Sequence, residues 1–337
     1  MMETTEPRCK FNDRTGRTGV FKLRDAEMEK LIDLNSGLVK DELVEERMCP
    51  LCEDHPKNAE QIWIKEGLKY NKCKCGMVYI APILKQKVVD EYYATAESAK
   101  QWLEVLRAQE NLDETKFDHL LDRVSRHIFA PGPPAKPSLL DVGASYGFFL
   151  NLATSYRWNF DGVGLELSGA AFDLYIKKEY HNNFPIYTMK LEDYLKSPTF
   201  EKADLVTMWE VLEHVPDPKA LLEQAKKVLK RDGLLAVLVP NLWAKTNRYL
   251  HEKSRAFGAN HLNYWNVNTL RRQLSEAGFG TCYEETIIGD VNTWWNHLNY
   301  EDPYTGSLVH PDHKRATEQT LQEGAGYKFF TLARARG

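Results

Sequence analysis

A glycine-marked turn follows a short apolar run at 139–147, in the letters LLDVGASYG. A short apolar run bounded by glycines is typical of a buried strand in a parallel sheet. Gly143 and Gly147 would let the backbone approach a bound molecule closely, where a side chain would clash. The spacing differs from Gly-x-Gly-x-x-Gly, the turn that receives a pyrophosphate. An acid two residues before the first glycine, Asp141, favours a cationic or amine-bearing ligand.

A second acid, Glu166, ends the next strand pattern, at 160–166. A carboxylate at that place can accept two hydrogen bonds from a ribose diol. Two further strand patterns follow, one within 203–215 and one at 234–240, and the first of them runs into an acid-rich turn. Strands that alternate with helical segments predict an α/β fold with a doubly wound sheet, which binds ligands at the carboxyl ends of its strands.

Two close pairs of cysteines lie upstream of these strands: Cys49 with Cys52, and Cys73 with Cys75. Four thiolates that can form a tetrahedron indicate zinc rather than disulfides in a cytoplasmic chain. The pattern predicts a zinc ribbon. Only one residue separates the second pair, so His55 could instead supply one ligand. Buried reduced thiols without a metal are the alternative interpretation.

Five ordered blocks of the chain resemble class I S-adenosylmethionine-dependent methyltransferases, in the branch of the ubiquinone-biosynthesis and sugar O-methyltransferases. The blocks are LLDVGASYGFF, VGLELS, DLVTMWEVLEHVPDP, LLEQAKKVLKRDGLLAVLVPN and HLNYWNVNTLRRQLSEAGF. The resemblance covers residues 115–337 and implies a Rossmann-like, doubly wound sheet of seven strands. The upstream cysteine pairs, with the segment 76–82 after them, look like the N-terminal ribbon of bacterial members of this branch.

The resemblance implies that S-adenosylmethionine is the cofactor. Glu166, with Leu167 beside it, would then hold the ribose, and Glu192 or Asp193 would lie near the adenine. The methionine part would lie in the turn, against Gly143, Ala144, Ser145 and Gly147.

Trp209 and Glu210 would end the fourth strand beside the sulfonium, by the same resemblance. The sulfonium already carries an activated methyl group, so the enzyme must position the reactants and, for a hydroxyl acceptor, remove a proton. A histidine is the natural base at neutral pH, and the role would be lost below its pKa. His214 and His261 are the candidates, and either could instead brace its loop. We favour His261, because a loop after the fifth strand can face an acceptor from outside.

The acceptor is predicted to be a small molecule, methylated on a hydroxyl group of a sugar, nucleotide sugar or natural product. An aromatic insertion between Ile288 and Tyr327 could shape the acceptor pocket or cap the core. Its notable residues are Trp294, Trp295, His297, Tyr300 and Tyr304. A zinc-ribbon RNA base methyltransferase and an N- or C-methyltransferase of a sugar are the alternatives. A noncatalytic scaffold is disfavoured by the intact glycines and by Glu166.

Four segments are predicted from composition and pattern: 1–48, helical or extended; 49–87, the zinc ribbon; 88–137, a helical lid and linker; and 138–337, the cofactor-binding methyltransferase domain. The ribbon is expected to be an appendage that packs on the lid helices. The net charge of −4 over 337 residues, with acidic residues around the ribbon, makes a nucleic-acid partner unlikely. No apolar run is long enough to span a bilayer and no signal peptide is evident, which predicts a cytoplasmic protein without a membrane partner.

Overall fold

A computed structural model describes residues 13, 15–128, 136–287 and 323–336, apart from the side chains of Thr246 and Tyr249. The strands are β1 (Val44–Glu45), β2 (Glu60–Lys65), β3 (Leu68–Lys72), β4 (Val78–Ile80), β5 (Ile83–Leu84), β6 (Ser138–Val142), β7 (Asp161–Leu165), β8 (Ile186–Tyr187), β9 (Ala203–Trp209), β10 (Leu229–Pro240), β11 (Asn263–Tyr264), β12 (Phe279–Ile287) and β13 (Lys328–Ala335). The helices are α1 (Arg17–Glu29), α2 (Gln86–Thr95), α3 (Glu97–Ala108), α4 (Glu110–Ile128), α5 (Phe148–Ala153), α6 (Gly169–Lys177), α7 (Leu191–Tyr194), α8 (Pro218–Val228), α9 (Lys245–Leu250) and α10 (Val267–Glu276).

Seven strands form one sheet in the order β12-β13-β10-β9-β6-β7-β8. The five strands from β10 to β8 are parallel to their neighbours, and β13 is antiparallel to both β10 and β12. The chain winds outward in both directions from β6, so the strand order reverses between β6 and β9. Ligands of such sheets bind at this reversal, beyond the carboxyl ends of the strands. The predicted class I methyltransferase fold, a doubly wound sheet of seven strands, is confirmed.

The central strands are apolar because helices cover both faces of the sheet. Six consecutive residues of β10, 234–239, are at most 1% exposed. Helix α8 begins at Pro218, whose missing N–H costs nothing at a first helical position, and the Asp217 side chain accepts a hydrogen bond from Ala220 N at 2.9 Å. Helix α4 turns one apolar face inward, where Phe117, Leu120, Leu121 and Val124 are buried.

The cysteine module contains a four-stranded sheet in the order β11-β4-β3-β2. Its edge strand β11 comes from the segment after β10, and Asn263 pairs with Tyr79 of β4. The buried Cys49 and Cys73 also belong to the same hydrophobic cluster as Leu140 of β6. The module is therefore built into the larger fold, and the expectation of an appendage resting on the lid helices is wrong. A two-residue strand such as β11 is too short for hydrophobic periodicity to reveal.

The predicted aromatic insertion, with Trp294, Trp295, His297, Tyr300 and Tyr304, lies outside the described residues. After helix α1, the side chain of Asp33 accepts hydrogen bonds from the backbone N–H groups of Asn35 and Ser36 and forms a turn there. Among the residues described, we find no helix long and apolar enough to cross a membrane.

Candidate functional site

The glycine-marked turn joins β6 to α5 at the reversal of strand order. Gly143 and Gly147 have φ values of 77° and 85°, and Ser145 between them has a φ of 50°. A Cβ on Gly143 would lie 2.7 Å from Val211 Cγ2, and one on Gly147 would lie 2.9 Å from the Phe184 ring. The glycines are therefore required by backbone conformation and by packing within the protein. The close approach of these glycines to a bound molecule stays a prediction.

Glu166 lies directly after β7, and its side chain is hydrogen-bonded to the glycine-marked turn. Its Oε2 accepts a hydrogen bond from Ser145 N at 2.8 Å. Its Oε1 accepts hydrogen bonds from Leu167 N at 2.8 Å and Ser168 N at 2.7 Å. A carboxylate offers about four acceptor positions, so a ribose diol would share this side chain with the backbone. Ribose binding by Glu166 stays a prediction, and the side chain also has a clear structural role.

Asp141 lies in the core below the turn. Its side chain is 1% exposed and accepts a hydrogen bond from the Thr207 hydroxyl at 2.6 Å, which joins β6 to β9. Burial raises the pKa of Asp141 to about 8, so this carboxyl is mostly neutral at pH 7. A neutral acid attracts a cation weakly. The role of Asp141 toward an amine-bearing ligand stays a prediction, while its bracing of the sheet is a direct observation.

The side chains predicted near the adenine are on the surface at the same edge of the sheet. Glu192 and Asp193 are exposed in the first turn of α7, and Glu192 pairs with Lys196 at 3.2 Å. Leu167 is 59% exposed, which is unusual for a leucine beside a strand end. These positions leave all three side chains available to a ligand.

Trp209 ends β9 and packs between aromatic rings from both sides of the turn. Its ring centroid lies 5.0 Å from that of Phe149, 5.9 Å from Phe117 and 6.0 Å from Phe330. Its indole Nε1 is buried and has no hydrogen-bond partner among the described residues. An unsatisfied buried donor is costly. A bound molecule with an acceptor atom would satisfy this donor, which fits a ligand at the carboxyl end of β9.

Glu210 follows Trp209 with a φ of 59°, a left-handed conformation that is uncommon for a residue other than glycine. Its Oε1 accepts a hydrogen bond from Lys328 Nζ, and Lys328 is only 5% exposed. The ion pair ties the end of β9 to the start of β13. The sequence did not single out Lys328, because its partner is far away in the chain.

His214 and His261 meet edge to face near the end of β9, with ring centroids 4.7 Å apart and planes at 78°. His214 Nδ1–H donates to Asn260 O at 2.7 Å, and His261 Nδ1–H donates to Ala256 O at 2.9 Å. Because a carbonyl oxygen can only accept, both Nδ1 atoms carry the proton and each neutral ring keeps a lone pair on Nε2.

A buried acid completes this group. A carboxylate oxygen of Glu213 and one ring nitrogen from each of His214 and His261 lie within 4.8 Å of one another. At this spacing one bound atom, a hydroxyl oxygen or a cation, could touch all three. Glu213 is 0% exposed, and neither of its oxygens has a hydrogen-bond partner among the described residues. In the sequence, Glu213 is only one residue of an acid-rich turn, and no local pattern predicts that it is buried.

Burial controls protonation in this group. Desolvation lowers the pKa of His261 to about 3, with His214 adding a smaller repulsion, and it also lowers the pKa of His214. Desolvation raises the pKa of Glu213 well above its usual range, and the charge of Glu210 raises it further. Desolvation therefore favours the neutral form of both imidazoles and the protonated form of Glu213. Both histidines are half-buried.

The four cysteine thiols converge as the sequence predicted. Cys49 Sγ lies 3.6 Å from Cys75 Sγ, and Cys52 Sγ lies 3.4 Å from Cys73 Sγ. All four sulfur atoms lie within 4.8 Å of one another. Thiolates bound at ~2.3 Å around a tetrahedral zinc ion are about 3.8 Å apart, so the cluster needs little adjustment to hold zinc.

His55 lies outside this group. Its Nδ1 accepts a hydrogen bond from Lys57 N at 3.1 Å and caps a short helical turn. Both Cys73 and Cys75 therefore contribute their sulfur atoms to the cluster, and no histidine is needed as a fourth ligand.

A family model described as a methyltransferase domain matches residues 109–282, which include the turn, both histidines and Glu166. The chain belongs to this methyltransferase family. The match begins just after α3 and ends within β12, so it leaves out the four cysteines and every strand of their module except β11.

Curated relatives of this methyltransferase include two ubiquinone biosynthesis O-methyltransferases. That of Glaesserella parasuis serovar 5 is 34% identical over 117 residues, which are 32% of this chain and 47% of the relative. That of Actinobacillus pleuropneumoniae serotype 7 is 30% identical over 102 residues, which are 29% of this chain and 43% of the relative. The chain thus spans about half the length of the curated relatives it matches.

Solved structures similar to this methyltransferase include magnesium protoporphyrin IX methyltransferase from Synechocystis PCC 6803 with bound SAH. The TM-score is 0.48 and the identity 13%, over 75% of this chain and all of that chain.

Proposed function

We propose that this protein is an S-adenosylmethionine-dependent enzyme that methylates a hydroxyl group of a small molecule. The cofactor would lie over the turn, with its methionine part against Gly143, Ala144, Ser145 and Gly147. Its ribose would lie against Glu166, and its sulfonium near Trp209 and Glu210. The cofactor supplies the activated methyl group, and the protein positions the acceptor and removes its proton.

The histidine pair is the observation that carries this proposal. Two neutral imidazoles, both with Nδ1–H fixed on a backbone carbonyl, present free Nε2 lone pairs beside the end of β9. A hydroxyl that attacks a methyl group becomes more acidic as the bond forms, so an adjacent lone pair can take its proton. We assign this role to His261, with His214 and Glu213 holding the hydroxyl group in place.

Methyl transfer to a panel of hydroxyl compounds tests the function directly. Protein with isotope-labelled cofactor would be screened against sugars, nucleotide sugars and phenolic natural products, with the products detected by mass shift. Label found on an oxygen supports the proposal. Label found only on nitrogen, on carbon or on RNA would contradict it and favour one of the alternative acceptors.

Glu166→Ala should weaken cofactor binding by about tenfold to a hundredfold, because a charge-assisted hydrogen bond contributes about 1.5–3 kcal/mol. Titration calorimetry with S-adenosylmethionine and with its demethylated product measures the change. Glu192→Ala removes an acid from the adenine side and serves for comparison. Unchanged affinity in a folded Glu166→Ala variant would show that this carboxylate only braces the turn.

The rate of the chemical step should stay nearly constant from pH 8 to about pH 5. His261 has a pKa of about 3, lower than that of a free imidazole, so its neutral, proton-accepting form persists as the pH falls through this range. Single-turnover rates at saturating cofactor measure this. A decline centred near the ordinary histidine pKa, absent from His261→Ala, would mean that the ring is less desolvated than the structure indicates.

We further propose that the four cysteines hold one structural zinc ion. Four thiolates leave no open position for a reactive water. Such a centre requires reduced thiols, and this supports a cytoplasmic location.

A further inference from the structure

A short segment, 262–264, contacts both the cysteine module and the turn that precedes helix α8. In β11, Asn263 lies opposite Tyr79 of β4. On its other side the same segment reaches the end of β9, where Leu262 N donates to Glu213 O at 2.6 Å. One extended stretch of backbone is thus bonded to the module and to the turn at the same time.

The Asn263 side chain adds three hydrogen bonds to this junction. Its Nδ2 donates to Leu212 O at 3.0 Å and to Val215 O at 2.7 Å, while its Oδ1 accepts from Arg47 Nη2 at 2.7 Å. Carbonyls only accept and a guanidinium only donates, so these partners fix the orientation of the amide. The two carbonyls lie on either side of Glu213 and His214, and the amide is 1% exposed.

Arg47 connects this amide to the cysteines. It lies two residues before Cys49 in the chain, and its guanidinium carbon is 5.8 Å from the centre of the Tyr79 ring. The strand β4, which carries Tyr79, starts three residues after Cys75. Both halves of the cysteine cluster are therefore linked to Asn263 through very short stretches of chain.

We propose that Asn263 and Arg47 are positioning residues for methyl transfer, through which the four-cysteine module holds Glu213 and His214 in register with the acceptor. Neither residue needs to touch the substrate. The inference rests on the proposed function, because it assigns a purpose to the placement of the histidine pair. Misplacing a reacting group by about 1 Å can cost about a hundredfold in rate.

Asn263→Asp is the most informative substitution. The shape is kept and Arg47 retains an acceptor, but the donor facing the carbonyls of Leu212 and Val215 becomes an oxygen. Two hydrogen bonds are replaced by repulsion at the turn. We expect single-turnover methyl transfer to slow by at least tenfold, with cofactor affinity within twofold of wild type and the metal content unchanged.

Asn71→Asp is the matched control. Asn71 lies opposite Tyr79 on the other side of β4, is 5% exposed, and donates from Nδ2 to Lys69 O at 3.2 Å and Ala81 O at 3.0 Å. Its hydrogen bonds stay within the module. This variant should lose comparable stability and keep the wild-type rate. Equal slowing in both variants would show that Asn263 contributes only to stability, and this would overturn the proposal.

Arg47→Met and Arg47→Lys test the second residue and serve if Asn263→Asp does not fold. Arg47→Met removes the donor to the amide and should slow methyl transfer, whereas Arg47→Lys keeps a donor and should recover part of the rate. Equal rates for these two variants and wild type would overturn the role of Arg47.

A spectroscopic measurement separates this inference from the proposed function. Histidine-selective ¹⁵N labelling reports the imidazole nitrogens of His214, whose Nδ1–H donates to Asn260 O. We expect these resonances to move in Asn263→Asp and not in Asn71→Asp, whether or not an acceptor is known. If no hydroxyl compound is ever methylated, the proposed function fails while this shift still supports the positioning. Unmoved His214 resonances in Asn263→Asp would contradict it.

Discussion

His261→Ala is expected to slow single-turnover methyl transfer about a hundredfold or more, while cofactor affinity stays near that of wild type. In the proposed reaction this imidazole takes the acceptor's proton as the methyl group arrives, and a positioned base contributes about 10²–10⁴-fold to such a step. The glycine-marked turn that we propose as the cofactor site is formed by other residues, so the affinity for the cofactor should be spared. Rapid-quench measurements with saturating cofactor give the rate, and calorimetry gives the affinity.

His127→Ala provides the control for this result. His127 also bonds through Nδ1 to a backbone carbonyl, that of Arg123 at 2.8 Å, but it lies on α4 against Tyr283. Its loss should leave the rate unchanged. His214→Ala should slow the reaction less than His261→Ala. If neither His261→Ala nor His214→Ala reduces the rate, the acceptor is deprotonated by another group or needs no base.

Cys49→Ser is expected to release the metal and to lower the melting temperature by about 10 °C or more. Loss of a structural metal belongs to the largest single-residue effects on stability, and about 4 kcal/mol corresponds to such a shift in a protein of this class. Desolvation also raises the pKa of Cys49, and that of Cys75 to about 11, so without a metal these two thiols keep their protons. Elemental analysis should find about one zinc ion per chain in the wild type.

Cys282→Ser is the control for the metal prediction, because this exposed cysteine is not part of the sulfur cluster. Its melting temperature and zinc content should match those of wild type. Fully reduced, active protein that contains no metal would show that the four thiols are simply packed.

The central sheet could be predicted from the sequence because its strands are long, apolar and regularly spaced by helices. The strands β6, β7, β9 and β10 lie where apolar runs predicted them, within a few residues. Strand β11 and its pairing with β4 were not predicted. Strand β11 has two residues, and its pairing with β4 depends on a contact between distant parts of the chain that no local pattern records.

The candidate site was predicted unevenly. The cysteines and the two histidines were identified by residue type and spacing, and the structure brings each set together. Glu213, Lys328 and Asn263 were not singled out, because burial gives them their properties. An acid, a lysine and an asparagine look ordinary in sequence until their neighbours are known.

The shared sheet has a consequence for how the protein is made. The module's last strand, β11, is synthesised long after its first three, so a nascent chain must hold β4 with an unpaired edge until residues 263–264 leave the ribosome. Val78, Tyr79 and Ile80, all at most 4% exposed in the finished fold, would face water or other chains during that interval. A metal bound early at the cysteines would stabilise strands β3 and β4 before β11 is available. An expression fragment that stops before residue 263 would keep the edge of β4 unpaired and prone to aggregation.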